Sequence, residues 1–146
     1  MESGTHFQPV LPDPLDNTKK ATRVILLSGK IYYELVKERQ IRGLNDTIAF
    51  IRIEELAPFH FETLERVLRM YPFAIDVAWI QEEPKNQGGW NHVCGRIGGV
   101  LEKVGLGGGA SGLRYLGRGE SALPAPGIGK LYQMQQRSVI ESAFDS

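Results

Sequence analysis

Cysteine is nearly missing from this chain. Among 146 residues only Cys94 carries a thiol, so no internal disulfide can form, and the composition fits a reducing compartment. Net charge is missing as well: seventeen basic and seventeen acidic side chains cancel, leaving no global field to attract nucleic acid or an anionic membrane surface. No apolar run approaches the ~20 residues that a membrane-spanning helix needs. The three histidines, His6, His60 and His92, stand far apart without metal-ligand spacing, and are expected to be solvated. No serine sits in a nucleophile elbow. Gly29-Lys30 lacks the upstream glycine and the following Ser/Thr of a phosphate loop. Gly107 to Gly112 fits G-x-G-x-x-G, but it follows a helical pattern and precedes a strand, the reverse of a dinucleotide site. It reads as a flexible surface loop. No residue therefore stands out as catalytic, cofactor-binding or metal-binding, and the chain by itself does not look like an enzyme.

The length predicts one domain, able to bury roughly 70% of the surface that its unfolded chain exposes. Residues 1–22 read as a linker from a preceding domain, because Pro9, Pro12 and Pro14 favour an extended path. Glu2 and the lack of any Lys or Arg before Lys19 speak against a mitochondrial presequence. Residues 23–146 form the α/β domain, with a glycine-rich loop at 105–112. Arg23 to Leu27 and Thr47 to Ile53 are continuous apolar runs, as expected of parallel strands covered on both faces. A helix follows the first, with Ile31, Leu35 and Val36 inward, Glu34/Lys37 and Glu38/Arg42 paired on the solvent side, and Gly43 as C-cap. The second leads into a helix with Phe61, Leu64, Leu68 and Tyr71 on one face, ended by Pro72. A third strand, Asp76 to Ile80, runs through Gln81-Glu82-Glu83-Pro84-Lys85-Asn86-Gln87-Gly88-Gly89 into a helix with Trp90, Val93, Cys94, Ile97, Leu101 and Val104 at helical spacing. Cys94 on that stripe reads as a buried small side chain. Leu113 to Leu116 is a fourth strand and about Lys130 to Phe144 a last helix.

Four β-α units in one order imply a mostly parallel open sheet with helices on both faces. Every strand-to-helix turn then lies along one carboxyl edge, which receives Lys30, Glu54, Glu55, Glu82, Glu83 and Arg118. Acids there have an ordinary explanation, since helix N-termini favour negative charge by ~0.3–1 kcal/mol per exposed group. The other explanation is docking onto another surface or ligand, and the density of polar residues around Glu82 and Glu83 favours it at that turn. Glu82, Glu83, Lys85, Asn86 and Trp90 are the candidate interface. Trp79 and Trp90 read as core or interface anchors.

Six stretches carry a family likeness. Gln81 to Gly88 resembles the signature of the C-terminal domain of 2-oxoglutarate dehydrogenase, the thiamine-dependent decarboxylating component. Ser28-Gly29-Lys30-Ile31-Tyr32-Tyr33, Arg52 to Phe59, and Gly117 to Gly127 resemble the same family in the same order. Gly4-Thr5-His6-Phe7-Gln8 is similar to the segment that joins the preceding domain to it. Gly127-Ile128-Gly129-Lys130-Leu131-Tyr132 looks closer to the 2-oxoadipate-type relative, although many relatives carry His where Tyr132 stands.

The resemblance implies a transketolase C-terminal-domain-like fold and an assembly and regulatory role. It places thiamine diphosphate and magnesium on two preceding domains; their Gly-Asp-Gly motif followed by Asn does not occur here. It implies as partners the remaining domains, a second subunit, and the dihydrolipoyl acyltransferase component of the complex, in mitochondria. Some bacterial relatives bind acetyl-CoA or AMP near this domain, which makes Lys30 and Arg118 candidate effector contacts. A second reading is a free-standing nucleotide- or acyl-CoA-binding α/β protein using the same edge, with no nucleic acid or membrane partner in either case.

Overall fold

The structure, a computed structural model, describes residues 8–118 and 129–145. Five strands, β1 (Val10–Leu11), β2 (Arg23–Leu27), β3 (Ile48–Ile53), β4 (Asp76–Gln81) and β5 (Arg114–Gly117), form one sheet in the order β1-β3-β2-β4-β5. β2 pairs in parallel with both β3 and β4, and β4 with β5; only β1 runs antiparallel, on the outer side of β3. The helices are α1 (Ile31–Ile41), α2 (Phe61–Leu68), α3 (Trp90–Val104) and α4 (Gly129–Ser142).

Strand alternation sorts the core into two layers. Val24, Leu26, Ala49, Ile51, Val77 and Trp79 meet Leu64, Leu68, Val93, Ile97 and Leu101 of α2 and α3. Ile25, Leu27, Phe50, Ala78 and Ile80 face the other way, onto Ile31 and Leu35 of α1 and Val139 and Ile140 of α4. The mostly parallel α/β architecture with helices on both faces is thus as the sequence predicts. Because β2 feeds α1 on one face and β4 feeds α3 on the other, the chain reverses between their carboxyl ends, where open sheets form a crevice.

The segment expected to be a linker contributes to the fold from Pro9 onward. Pro9 O accepts from the backbone N–H groups of Glu54 and Glu55, and β1 extends the sheet. Asp13 is buried against Arg39 of α1, which reaches both of its carboxylate oxygens. Asp13 also accepts from the N–H of Phe50 (2.9 Å) and of Leu15 (3.0 Å), while its own N–H donates to the Tyr71 hydroxyl (3.1 Å). Asn17, fully buried, donates to Asn45 O at 3.0 Å. Composition suggested an extended tether; long-range partners for its polar groups hold it down instead.

Three local expectations also need correction. Glu38 is buried rather than solvated, bound by Arg42 and by Arg137 of α4. Phe61 is 49% exposed, so the buried face of α2 begins at Leu64. The glycine-rich loop is a compact turn, not a flexible excursion: Gly109–Gly112 makes one 3-10 turn, Gly109 is buried, and the Ala110 N–H donates to Glu102 of α3 at 3.0 Å. A side chain at Gly112 would lie 1.7 Å from Gly107 O, so two strands of the loop touch backbone to backbone.

Candidate functional site

The carboxyl edge is built around Gln81, the last residue of β4. Trp79 and Gln81, two apart, point to the same face, and the Trp79 indole Nε1–H donates to Gln81 Oε1 at 2.8 Å. The same oxygen accepts from the Trp90 backbone N–H at 2.9 Å, satisfying one of the orphan donors at the start of α3. The amide Nε2 donates to Pro84 O (2.9 Å), Gln87 O (2.7 Å) and, more weakly, Glu83 O (3.2 Å). Gln81 is 3% exposed. It was not a candidate residue in the sequence, although a glutamine closing a strand whose other inner residues are all apolar is a readable sign of an internal hub.

Around this hub the five candidate interface residues divide. Glu82 turns towards the α1/α4 layer: its carboxylate accepts from Gln136 (3.1 Å), which also reaches Glu34 (3.3 Å). Lys85 Nζ lies 5.4 Å from the centre of the Tyr115 ring, and Trp90 meets that ring edge-on at 5.2 Å. Trp90 is half-buried against the α2/α3 layer. Glu83 and Asn86 are exposed, together with Gln87 and Gly88. Gly88 has φ +67°, and a β-carbon there would stand 2.8 Å from a carboxylate oxygen of Glu83, so that acid lies across the turn. The Tyr115 hydroxyl donates to Arg118 O and also faces Glu83 O at 3.4 Å; burial pushes its pKa up.

The two candidate effector residues occupy different settings. Lys30 is exposed at the start of α1, after β2. Arg118, just past β5, is half-buried, with Nε donating to Glu82 O (2.9 Å) and Nη1 to Gln135 Oε1 (2.9 Å). Most of the Gly117 to Gly127 motif, as well as Gly4 to Phe7, Gly127, Ile128 and the Tyr132 side chain, lies outside the described residues.

Both described histidines are half-buried and bonded, contrary to the expectation of solvated rings. His60 Nε2 lies 2.6 Å from Glu55 Oε1, and His92 Nε2 donates to Leu56 O at 2.6 Å, joining the loop after β3 to α3. Glu54 is exposed and its N–H is tied to Pro9 O at 2.7 Å. Cys94 is partly exposed rather than buried. Among the described residues no three His, Cys, Asp or Glu side chains converge as metal ligands. No helix among them is long and apolar enough to cross a membrane.

Comparison with known proteins gives these features a context. The model of the family described as 2-oxoglutarate dehydrogenase C-terminal matches residues 1–144. The 2-oxoglutarate dehydrogenase E1 component of Cupriavidus necator is 42% identical over 140 residues, 95% of this chain and 14% of that protein. A probable 2-oxoadipate dehydrogenase complex component E1 homolog of Dictyostelium discoideum is 35% identical over 99% of the chain and 16% of its own length. The mitochondrial 2-oxoglutarate dehydrogenase-like protein of Pongo abelii is 34% identical over 99% of the chain and 14% of its own length. The chain therefore spans about one seventh of the relatives it matches.

Proposed function

Because the chain belongs to the family of 2-oxoglutarate dehydrogenase C-terminal domains, we propose that it serves as the assembly and regulatory domain of a thiamine-diphosphate-dependent 2-oxo acid dehydrogenase. The parent enzyme would oxidatively decarboxylate 2-oxoglutarate or 2-oxoadipate, with this domain, transketolase-like in its place, not catalytic in isolation. Thiamine diphosphate and magnesium would belong to the preceding domains. The acids on this carboxyl edge do not fit the group: Glu55 is engaged with His60 and Glu82 with Gln136, and the described residues offer no metal-ligand cluster. No step through the cofactor is assigned to them.

The observation that carries the reading is a polar rim fixed from inside, on an edge where Glu55, Glu82 and Arg118 are engaged within the fold. Glu83, Asn86, Gln87 and Gly88 stand exposed on a turn whose backbone is fixed from inside, a form suited to binding another surface. The partners would be the remaining domains and second subunit of the dehydrogenase and, in the assembled complex, its dihydrolipoyl acyltransferase component. Mitochondrial residence is proposed from the Pongo relative, with bacterial relatives placing the same domain in cells without that compartment. An effector held by Lys30 and Arg118 would share the guanidinium with Glu82 O and Gln135; a phosphate could do so, because arginine offers paired donors.

The test uses the parent enzyme. Glu83→Ala should weaken its dimer in sedimentation and lower turnover while leaving the circular dichroism of the 146-residue chain unchanged. Calorimetry of the chain with thiamine diphosphate and magnesium should show no saturable heat. Unchanged dimerisation and turnover, or saturable cofactor binding by the chain alone, would sink the proposal.

A further inference from the structure

We infer that Gln81 is a positioning residue, which presents residues 83–88 in one preformed shape before any partner arrives. The inference deepens the docking role proposed above and rests on it for its purpose, but the geometry stands on its own. A carboxamide has two N–H donors and two acceptor lone pairs. In Gln81 both lone pairs are used, by Trp79 Nε1 and the Trp90 N–H, and the two donors are shared among three carbonyls of the turn, Glu83, Pro84 and Gln87. One buried side chain thus ties the beginning of the turn, its end and the first residue of α3 to the end of β4.

Among side chains only asparagine carries the same donors and acceptors, on a stem one methylene shorter. Glutamate keeps the acceptors and loses the donors; lysine and arginine do the opposite; leucine and methionine offer neither. The turn adds internal closure of its own, as Gln87 N–H donates to Pro84 O at 2.8 Å. Tyr115 is a second post, at Glu83 O and Arg118 O, but it touches neither Gln87 nor the start of α3 through its hydroxyl. A surface fixed in this way loses little conformational freedom on association, which favours binding without any added contact.

Hydrogen exchange on the 146-residue chain tests the positioning, and dimerisation of the parent enzyme tests its purpose. In the wild type the amides of Gln87 and Trp90 should be protected. In Gln81→Met both should exchange at least about tenfold faster relative to Ile25 and Leu26 in β2, an internal reference that moves only with global stability. Gln81→Glu splits the two halves of the amide: Trp90, whose acceptor survives, stays protected, while Gln87 accelerates. Tyr115→Phe leaves Trp90 protection within about twofold, and it reads the same turn should the Gln81 variants fail to fold. Unprotected Gln87 and Trp90 in the wild type, uniform acceleration of all amides in Gln81→Met, or loss of Trp90 protection in Tyr115→Phe would overturn the inference. Selective acceleration with unchanged parent dimerisation would support the positioning and refute the docking role of the turn.

Discussion

Removing the Asp13 carboxylate should be among the most damaging single changes in this chain. Asp13→Ala deletes the partner of Arg39, whose side chain is 1% exposed, and leaves its guanidinium charged and without water. It also strands the Phe50 N–H, which lies within the buried run of β3. Breaking a buried ion pair from one side typically costs about 3–5 kcal/mol, and an unsatisfied buried amide about 1–3 kcal/mol more. These terms overlap at one site, so the expected loss is about 4–6 kcal/mol, against a total stability of about 5–15 kcal/mol for such domains. Urea unfolding of the 146-residue chain, followed by circular dichroism, measures it. The double variant Asp13→Leu with Arg39→Met removes both charges together and should recover at least about 2 kcal/mol of the single-variant loss, because no uncompensated charge remains. A loss below about 1 kcal/mol in Asp13→Ala, or a double variant less stable than the single one, would refute the reasoning.

Two further predictions concern other parts of the fold. Glu38 is held down to about 2 by hydrogen bonds from Arg137 and Arg42; because its folded pKa lies below the unfolded one, its contribution is present above pH ~4.5 and is lost as pH falls towards ~2. Glu38→Gln should flatten the acid limb of the stability profile in that window, and an unchanged limb would dismiss the coupling of α1 to α4. Gly112→Ala would put a methyl group 1.7 Å from Gly107 O, so the loop must open; a melting temperature within about 2 °C of wild type would show that the loop is not closed as described.

Local pattern made the central strands and helices legible, and long-range contact hid the rest. Arg23–Leu27 is a strand over the same five residues that the apolar run marks, since a parallel strand covered on both faces has no polar position to confuse its ends. The carboxyl-edge placement of the six named side chains follows from the same topology. β1 is two residues long between prolines, so nothing in its own composition distinguishes it from a tether; only the outer edge of β3 makes it a strand. Asp13 and Arg39 are twenty-six positions apart, and Glu38 and Arg137 ninety-nine. Their partners could not be read from helical spacing, which correctly paired Glu38 with Arg42 but placed Glu38, like Arg42, in solvent. At the candidate site the turn is legible in the sequence and its organisation is not: the charged residues are the conspicuous ones, whereas the neutral Gln81 holds the turn through its backbone carbonyls.

The short antiparallel strand at the start of the described chain has a bearing on solubility. A sheet border is a template for unwanted pairing with another molecule, and long, flat, apolar borders are the most hazardous. Without β1, that border would be Ile48-Ala49-Phe50-Ile51-Arg52-Ile53, six residues with a single charge. With it, the outermost strand is Val10-Leu11, too short to extend a ladder and flanked by Pro9 and Pro12, which have no N–H to offer. Prolines that look like the mark of an unstructured lead-in thus act as a guard against fibre-like self-pairing. A version trimmed to begin at Arg23 would keep every parallel strand and lose that guard.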